Sequence, residues 1–238
     1  MLEELKSRVL EANLELVRKG LVIYTWGNVS GIDRASGLVA IKPSGVPYGE
    51  LRAEDIVLVE LETGSIAEGR LRPSSDTPTH LELYRRFAEI GGIAHTHSRF
   101  ATSFAQAKKE IVPLGTTHAD HFGDSVPCTR DMTADEIAEN YEINTGRVIV
   151  ETVKERTADA MRVQAVLVCS HGPFTWGEDA AKAAENAAVL EYIAEMQYYS
   201  MTLSEDSHIK RISDSLLDRH FNRKHGPKAY YGQRKPLT

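Results

Sequence analysis

The chain holds 238 residues with a net charge of −6 and 42% hydrophobic side chains, enough to build a sizeable core and too acidic for a general nucleic-acid binder, which would carry a basic face. Its two cysteines, Cys128 and Cys169, form no Cys-x-x-Cys and read as free thiols of a reducing compartment. No apolar run approaches the ~20 residues of a membrane span, and residues 1–6 are acidic and amphipathic rather than signal-like, so a cytoplasmic protein without a membrane partner is expected.

Leu2, Leu5, Val9, Leu14 and Val17 recur at helical spacing and Gly20 supplies a stop, which predicts a first helix over roughly 2–19. Short β-prone pieces follow at 28–32, 38–41 and 56–61, separated by glycines at turn positions. Pro78 fits the first position of a helix with Thr77 as its cap; that helix should run to about Ile90, where Gly91-Gly92 breaks it. Residues 92–98 read as a strand, 99–107 as a helix and 110–115 as another strand. Thr133-Ala134-Asp135-Glu136 has the form of a capping box and opens a helix. A strand is expected over 164–169 and an alanine-rich helix over 178–203, with Ala184, Ala188, Tyr192 and Met196 along one stripe. A last helix over about 207–225 ends at Gly226-Pro227. No linker, charge block or repeat divides the chain, so one domain over 1–238 is expected, a sheet covered by helices. Spacing does not give the strand order.

The strand at 92–98 carries His95 and His97. Alternate residues of a strand share a face, so the two imidazoles stand side by side, and neutral imidazole is a good ligand for zinc and similar cations. Asp76 precedes the helix that leads to this strand, and His171 follows the apolar run 165–169 at a strand end. Three histidines and one carboxylate make a divalent-metal ligand set. The alternative is a pair of satisfied histidines on a half-buried strand. Three small polar clusters, Thr25-Trp26-Gly27-Asn28, Lys42-Pro43-Ser44-Gly45 and Ser74-Ser75, could bring backbone N–H groups and hydroxyls to a phosphate, although none is a P-loop and each taken alone is an ordinary turn.

Taken together, seven segments carry a resemblance. They are Gly27-Asn28-Val29-Ser30, Lys42-Pro43-Ser44-Gly45, the run from Ser74 to His80, His95-Thr96-His97-Ser98, the run from Thr117 to Phe122, His171-Gly172-Pro173-Phe174, and Lys224 through Gln233. The chain resembles the class II aldolase and epimerase superfamily over nearly its whole length, and within it the L-ribulose-5-phosphate 4-epimerase family most closely. The resemblance implies an α/β fold in αβα layers, with a mostly antiparallel central sheet flanked by helices on both faces. It also implies a homotetramer with active sites at subunit interfaces, to which the C-terminal helix and tail (about 207–238) contribute. Asp76, His95, His97 and His171 would hold a divalent metal, zinc first, with manganese or cobalt as substitutes. Asn28, Ser44, Gly45, Ser74 and Ser75 would bind the phosphate of a pentulose, with Gly27 and Lys42 beside them. Asp120 and Tyr231 would be the acid/base pair, Tyr231 reaching in from a neighbouring subunit, with His220 assisting.

Members that resemble fuculose-phosphate aldolase carry Glu where this chain has Asp76, and that Glu is thought to leave the metal and act as a base. The shorter Asp76 is the epimerase-like choice. The resemblance thus implies a metal-dependent epimerase that interconverts L-ribulose 5-phosphate and D-xylulose 5-phosphate by C3–C4 cleavage and re-formation. The rivals are a sugar-phosphate aldolase of the fuculose or rhamnulose type and a non-catalytic, adducin-like scaffold. Outside the proposed site, His118 and His121 are expected in hydrogen-bonding roles, His80 in a structural one, and His208 and His225 at the surface.

Overall fold

The computed structural model describes residues 2–157, 159–204 and 210–231. Helix α1 (Leu2–Arg18) leads into β1 (Asn28–Asp33), β2 (Leu38–Ile41), β3 (Val57–Glu60) and β4 (Ile66–Glu68). Helix α2 (Thr77–Arg86), β5 (Gly92–His95), α3 (Arg99–Gln106), α4 (Thr116–Ala119), α5 (Ala134–Ala138) and α6 (Tyr141–Arg156) follow. The chain then forms β6 (Ala165–Val168), β7 (Gly172–Gly177), α7 (Ala180–Leu203) and α8 (Asp214–His225). The seven strands lie in the order β4-β3-β2-β1-β5-β7-β6, and every neighbouring pair is antiparallel. This is the mixed α/β fold expected from the sequence.

Strand alternation sorts the core into two layers. Val39, Val57, Val59, Ile93, Val166 and Val168 face α2 and α6, where Leu81, Leu83, Ile149 and Val153 complete one cluster. Their neighbours Ala40, Leu58 and Ala94 face α1 and α7 on the other side, against Val9, Leu16, Ala183 and Ala187. Ala165 and Leu167 extend that second layer toward α3 and the middle of α7. Helix α1 is keyed to the sheet by Asn13, whose amide donates to Val29 O at 3.0 Å and accepts from Val29 N at 2.9 Å. Gly92 has no alternative: a Cβ there would lie 2.2 Å from Asp179 C, where the chain enters α7.

The structure corrects several sequence-based boundaries. Helix α2 ends at Arg86 rather than Ile90, because Phe87 turns to extended backbone. Thr77 is helical and its hydroxyl donates to Ser74 O, so Asp76 takes the cap position. The strand expected over 110–115 shrinks to a single bridge between Ile111 and Val126. The capping box at Thr133 forms as expected but opens a helix of only five residues. The stripe on α7 is buried at Ala184 and exposed at Tyr192 and Met196, so only its first half faces the sheet.

Candidate functional site

The site sits at one end of three adjacent strands, where β5 finishes and β1 and β7 begin. In register, His95 stands opposite Asn28 on β1 and Phe174 on β7. Its ring stacks on Phe174 with centroids 4.2 Å apart. His95 Nδ1–H donates to Pro173 O at 2.9 Å, which fixes the tautomer and leaves Nε2 as a free lone pair. His97 places its Nε2 3.1 Å from His95 Nε2, and the His171 ring closes the group with centroids 4.8 Å from His95 and 5.0 Å from His97. One nitrogen of each ring falls within 4.8 Å of the others.

These residues fit a divalent ion. Ligands at zinc–nitrogen distances around a tetrahedron lie about 3.3 Å apart, close to the His95–His97 separation. Burial pulls the proton affinity of His97 down and that of His171 down to about 4. Both are therefore neutral near pH 7, the form that ligates metal. Asp76 lies in the same cavity, but its oxygens stand outside the three-nitrogen group. Asn28 tethers it: the amide Nδ2 donates to Asp76 Oδ2 at 2.6 Å and to Ser74 Oγ at 3.0 Å. Burial alone would raise the Asp76 carboxyl; the imidazoles of His95 and His80 and the Asn28 amide outweigh it and hold it below its usual range. Both amide hydrogens of Asn28 are thus committed, and its Oδ1 is buried with no partner.

The cavity measures about 490 Å³. It is lined by the three histidines and Asp76 together with Gly27, Asn28, Lys42, Ser44, Gly45, Ser74 and Ser75. The three polar clusters that the sequence scatters over fifty residues therefore share one space with the histidines. Lys42 is 1% exposed. Its ammonium donates only to the carbonyls of Pro43 (3.2 Å) and Thr25 (3.5 Å) and lies over the Tyr48 ring at 4.8 Å, with no carboxylate partner among the described residues. Burial lowers its proton affinity to about 8. A buried ammonium without a counter-ion, facing a polar cavity, is a place made for an anion.

Asp120, His220 and Tyr231 do not line this cavity. They form a second cluster where α4 meets α8. Arg223 grips Asp120 with both Nε (2.9 Å) and Nη2 (2.6 Å), and His220 Nδ1 lies 3.0 Å from Asp120 Oδ1. Burial works to raise the Asp120 carboxyl, but the bonds from Arg223 and His220 win and hold it below the usual carboxylate range. Tyr231 joins the same block: its N–H donates to Arg223 O at 3.1 Å, and its ring lies 4.6 Å from the Arg223 guanidinium and 5.0 Å from the Lys224 ammonium. His225 caps the Asp120 carbonyl at 3.0 Å. Residues 232–238 lie outside the described residues, as does His208.

Sequence reasoning did not single out Arg223, Tyr48 or the tether from Asn28 to Asp76. Nothing local in the sequence marks them, since each acts across at least 21 residues of chain. His80 is structural, as expected: fully buried, its Nδ1 pairs with Ser30 Oγ at 2.7 Å, which in turn meets Tyr84 Oη at 2.8 Å. His118 has the expected hydrogen-bonding role, with Nε2 donating to Asp124 O at 2.8 Å. A larger cavity, about 850 Å³, lies elsewhere, between α1 and α7. Charged and apolar helix residues line it and it holds none of the clustered histidines, so size alone does not locate the chemistry.

Residues 7–198 match the family described as Class II Aldolase and Adducin N-terminal domain. The chain belongs to this family. Solved structures agree in fold. An L-fuculose 1-phosphate aldolase superposes with a TM-score of 0.77 at 23% identity, covering 92% of this chain and 95% of that one. L-Fuculose-1-phosphate aldolase from Thermus thermophilus gives 0.65 at 26% identity over 83% and 94%. Sugar-phosphate aldolase from Thermotoga maritima gives 0.64 at 21% over 86% and 96%. Class II aldolases depend on a divalent metal, and the His95, His97 and His171 group of this family member is compatible with one. No helix among the described residues is long and apolar enough to cross a membrane.

Proposed function

We propose that this chain is a metal-dependent epimerase that interconverts L-ribulose 5-phosphate and D-xylulose 5-phosphate. The observation that carries the reading is a single cavity holding both a cation site, the three histidines, and an anion site, the uncompensated Lys42. A phosphorylated ketose bears both complements. Its phosphate answers Lys42 and the hydroxyls of Ser44, Ser74 and Ser75, while its adjacent C2 and C3 oxygens reach the histidine side.

Removing a proton from C4 is difficult because C4 is not next to the C2 carbonyl. Breaking C3–C4 avoids this. The C4 hydroxyl gives up its proton, the bond electrons pass to C3 as an enediolate conjugated with C2, and C4 becomes the aldehyde of glycolaldehyde phosphate. That aldehyde turns over, C3 attacks its other face, and a proton returns to the new hydroxyl. His95, His97 and His171, with Asp76 in the same cavity, would hold a divalent ion, zinc in the first place, which would supply Lewis-acid stabilisation of negative charge developing on the substrate's C2 and C3 oxygens. Proton transfers on two faces call for two acid/base groups, and Asp120 and Tyr231 take that role, with His220 beside Asp120. Arg223 keeps Asp120 ionised, the form that can accept a proton, while making it a weaker base. Because this pair lies off the cavity of its own chain, it serves the cavity of a neighbouring subunit in a homotetramer.

The choice of epimerase over aldolase rests on Asp76. A short carboxylate tethered by Asn28 suits a fixed metal ligand better than a base that swings free. The second reading, net cleavage by a sugar-phosphate aldolase, is favoured by the names of the fuculose-phosphate relatives. One assay separates the two. Zinc- or manganese-loaded protein is incubated with L-ribulose 5-phosphate and with ketose 1-phosphates. D-Xylulose 5-phosphate is the expected product; dihydroxyacetone phosphate and a free aldehyde from a ketose 1-phosphate, with no epimerisation, would establish the aldolase.

A further inference from the structure

We infer that Trp26 is the specificity-determining wall of the metal cavity: its indole covers the carbon chain of a bound sugar phosphate between the phosphate loops and the histidines. The inference rests on the sugar-phosphate reading above and adds a residue to it. Trp26 is the one large apolar side chain among the residues that line this cavity. It is 53% exposed, an unusual state for an aromatic ring of this size in a chain whose other tryptophan, Trp176, is fully buried.

The exposure does not come from a loose loop. Tyr48 Oη donates to Trp26 O at 3.0 Å and to Gly27 O at 2.9 Å, and Trp26 N–H donates to Ile23 O at 3.1 Å. Gly27 has φ +75, and a Cβ there would lie 2.7 Å from Val22 Cγ1 and 2.8 Å from His95 O, so the next peptide is locked against the metal strand. The ring itself is braced. Its centroid is 6.1 Å from Tyr24, edge to face, and 6.4 Å from His97 at a tilt of 49°. The backbone on both sides of Trp26 belongs to the phosphate wall, while its ring reaches toward the histidines. A sugar phosphate lying between those subsites presents C–H faces as well as hydroxyls, and an aromatic face is the natural cover for them.

This placement has a consequence for the reaction. Cleavage of C3–C4 creates a two-carbon aldehyde phosphate that must turn over without leaving. The phosphate loops hold one end of it. The indole closes the open side over the other, which separates a site that re-forms the bond from one that releases the aldehyde.

Two measurements test this. Zinc-loaded protein is titrated with L-ribulose 5-phosphate and, separately, with dihydroxyacetone phosphate, while calorimetry follows binding and tryptophan emission and acrylamide quenching follow the indole. On binding, wild-type emission moves to shorter wavelength and the quenchable fraction falls. Trp26→Phe, left with Trp176 alone, shows neither change yet still binds, about threefold more weakly, and Trp26→Ala binds about tenfold more weakly, the scale of one or two lost apolar contacts. A phosphate that binds by calorimetry and leaves wild-type emission and quenching unchanged overturns the inference. In the second measurement hydroxylamine traps free aldehyde during turnover. Trp26→Ala is expected to release at least about ten times more glycolaldehyde phosphate per epimerisation than wild type; equal release overturns the retention role. If wild type cleaves ketose 1-phosphates and does not epimerise, the epimerase reading fails alone, and Trp26 stands or falls on emission with dihydroxyacetone phosphate. Binding of neither phosphate removes the sugar-phosphate reading and the role of Trp26 with it.

Discussion

The metal cavity and the Asp120 cluster are built by different means. The cavity is made by strands: His95 is fixed by its register against Asn28 and Phe174, and His171 by its place at the start of β7. Asp76 joins them from the cap of α2, and His97 from just beyond the end of β5. The Asp120 cluster is made by long side chains from α8 folded back onto a four-residue helix, held by charge rather than by sheet packing. The first region gathers three imidazoles and the buried Lys42 ammonium around one cavity of a single chain. The second offers titratable groups that do not line the histidine cavity. The contrast teaches that the two groups of residues lie apart within one chain; on the proposed reading they are two halves of a site.

Breaking each half should have a distinct signature. The largest effect is expected from His97→Asn. Losing a direct ligand should weaken zinc binding by more than the 10–100-fold typical of outer-sphere partners and remove activity with it; metal content by mass spectrometry and turnover are measured together. Asp120→Asn should keep full metal content and lose about 10²- to 10⁴-fold in turnover. Unchanged turnover would remove Asp120 from the mechanism. Lys42→Met is expected to raise KM for a phosphorylated ketose roughly 10–100-fold, since a charge-assisted contact is lost. Because it removes an uncompensated buried charge, the same variant should unfold at no lower urea concentration than wild type, which separates a binding role from a structural one.

The smallest effect concerns stability near the second region. Burial pulls His118 down to about 4, and its Nδ1 is enclosed without a partner. A histidine whose folded value is depressed refuses the proton that the unfolded chain accepts. Its contribution is therefore complete above about pH 6.5 and declines as the pH falls toward about 4. Urea unfolding at pH 7.5 and pH 5 should differ by about 2 kcal/mol from this residue. His118→Gln should remove that share of the pH dependence, and an unaltered pH profile would contradict the assignment.

Much of the cavity was legible in the sequence because its parts are local motifs. The His95 and His97 pair is close in sequence, although β5 ends at His95 rather than Ser98 and His97 lies beyond it, and Pro78 places Asp76 at a helix start. What brings the motifs together was not legible. No strand is expected over 172–177, yet Gly172-Pro173-Phe174 opens β7, and the carbonyl of Pro173 is what orients His95. Helix α6 begins after Asn140, whose left-handed backbone leaves it at the cap position without a side-chain capping bond. The partners of Asp120 lie about a hundred residues away on α8, a separation at which neither periodicity nor turn chemistry speaks. The resemblance to a family named the residues of both halves; only the fold shows that they do not meet within one chain.

The most direct test of a divided site is to mix the two inactive proteins. His97→Asn and Asp120→Asn chains are unfolded together, refolded with zinc and assayed on L-ribulose 5-phosphate. If each cavity is served by a neighbouring chain, random assembly rebuilds an intact pair at about a quarter of the sites, and roughly that fraction of wild-type activity returns. Mixed protein that binds zinc at the intact cavities and remains inactive would contradict the account.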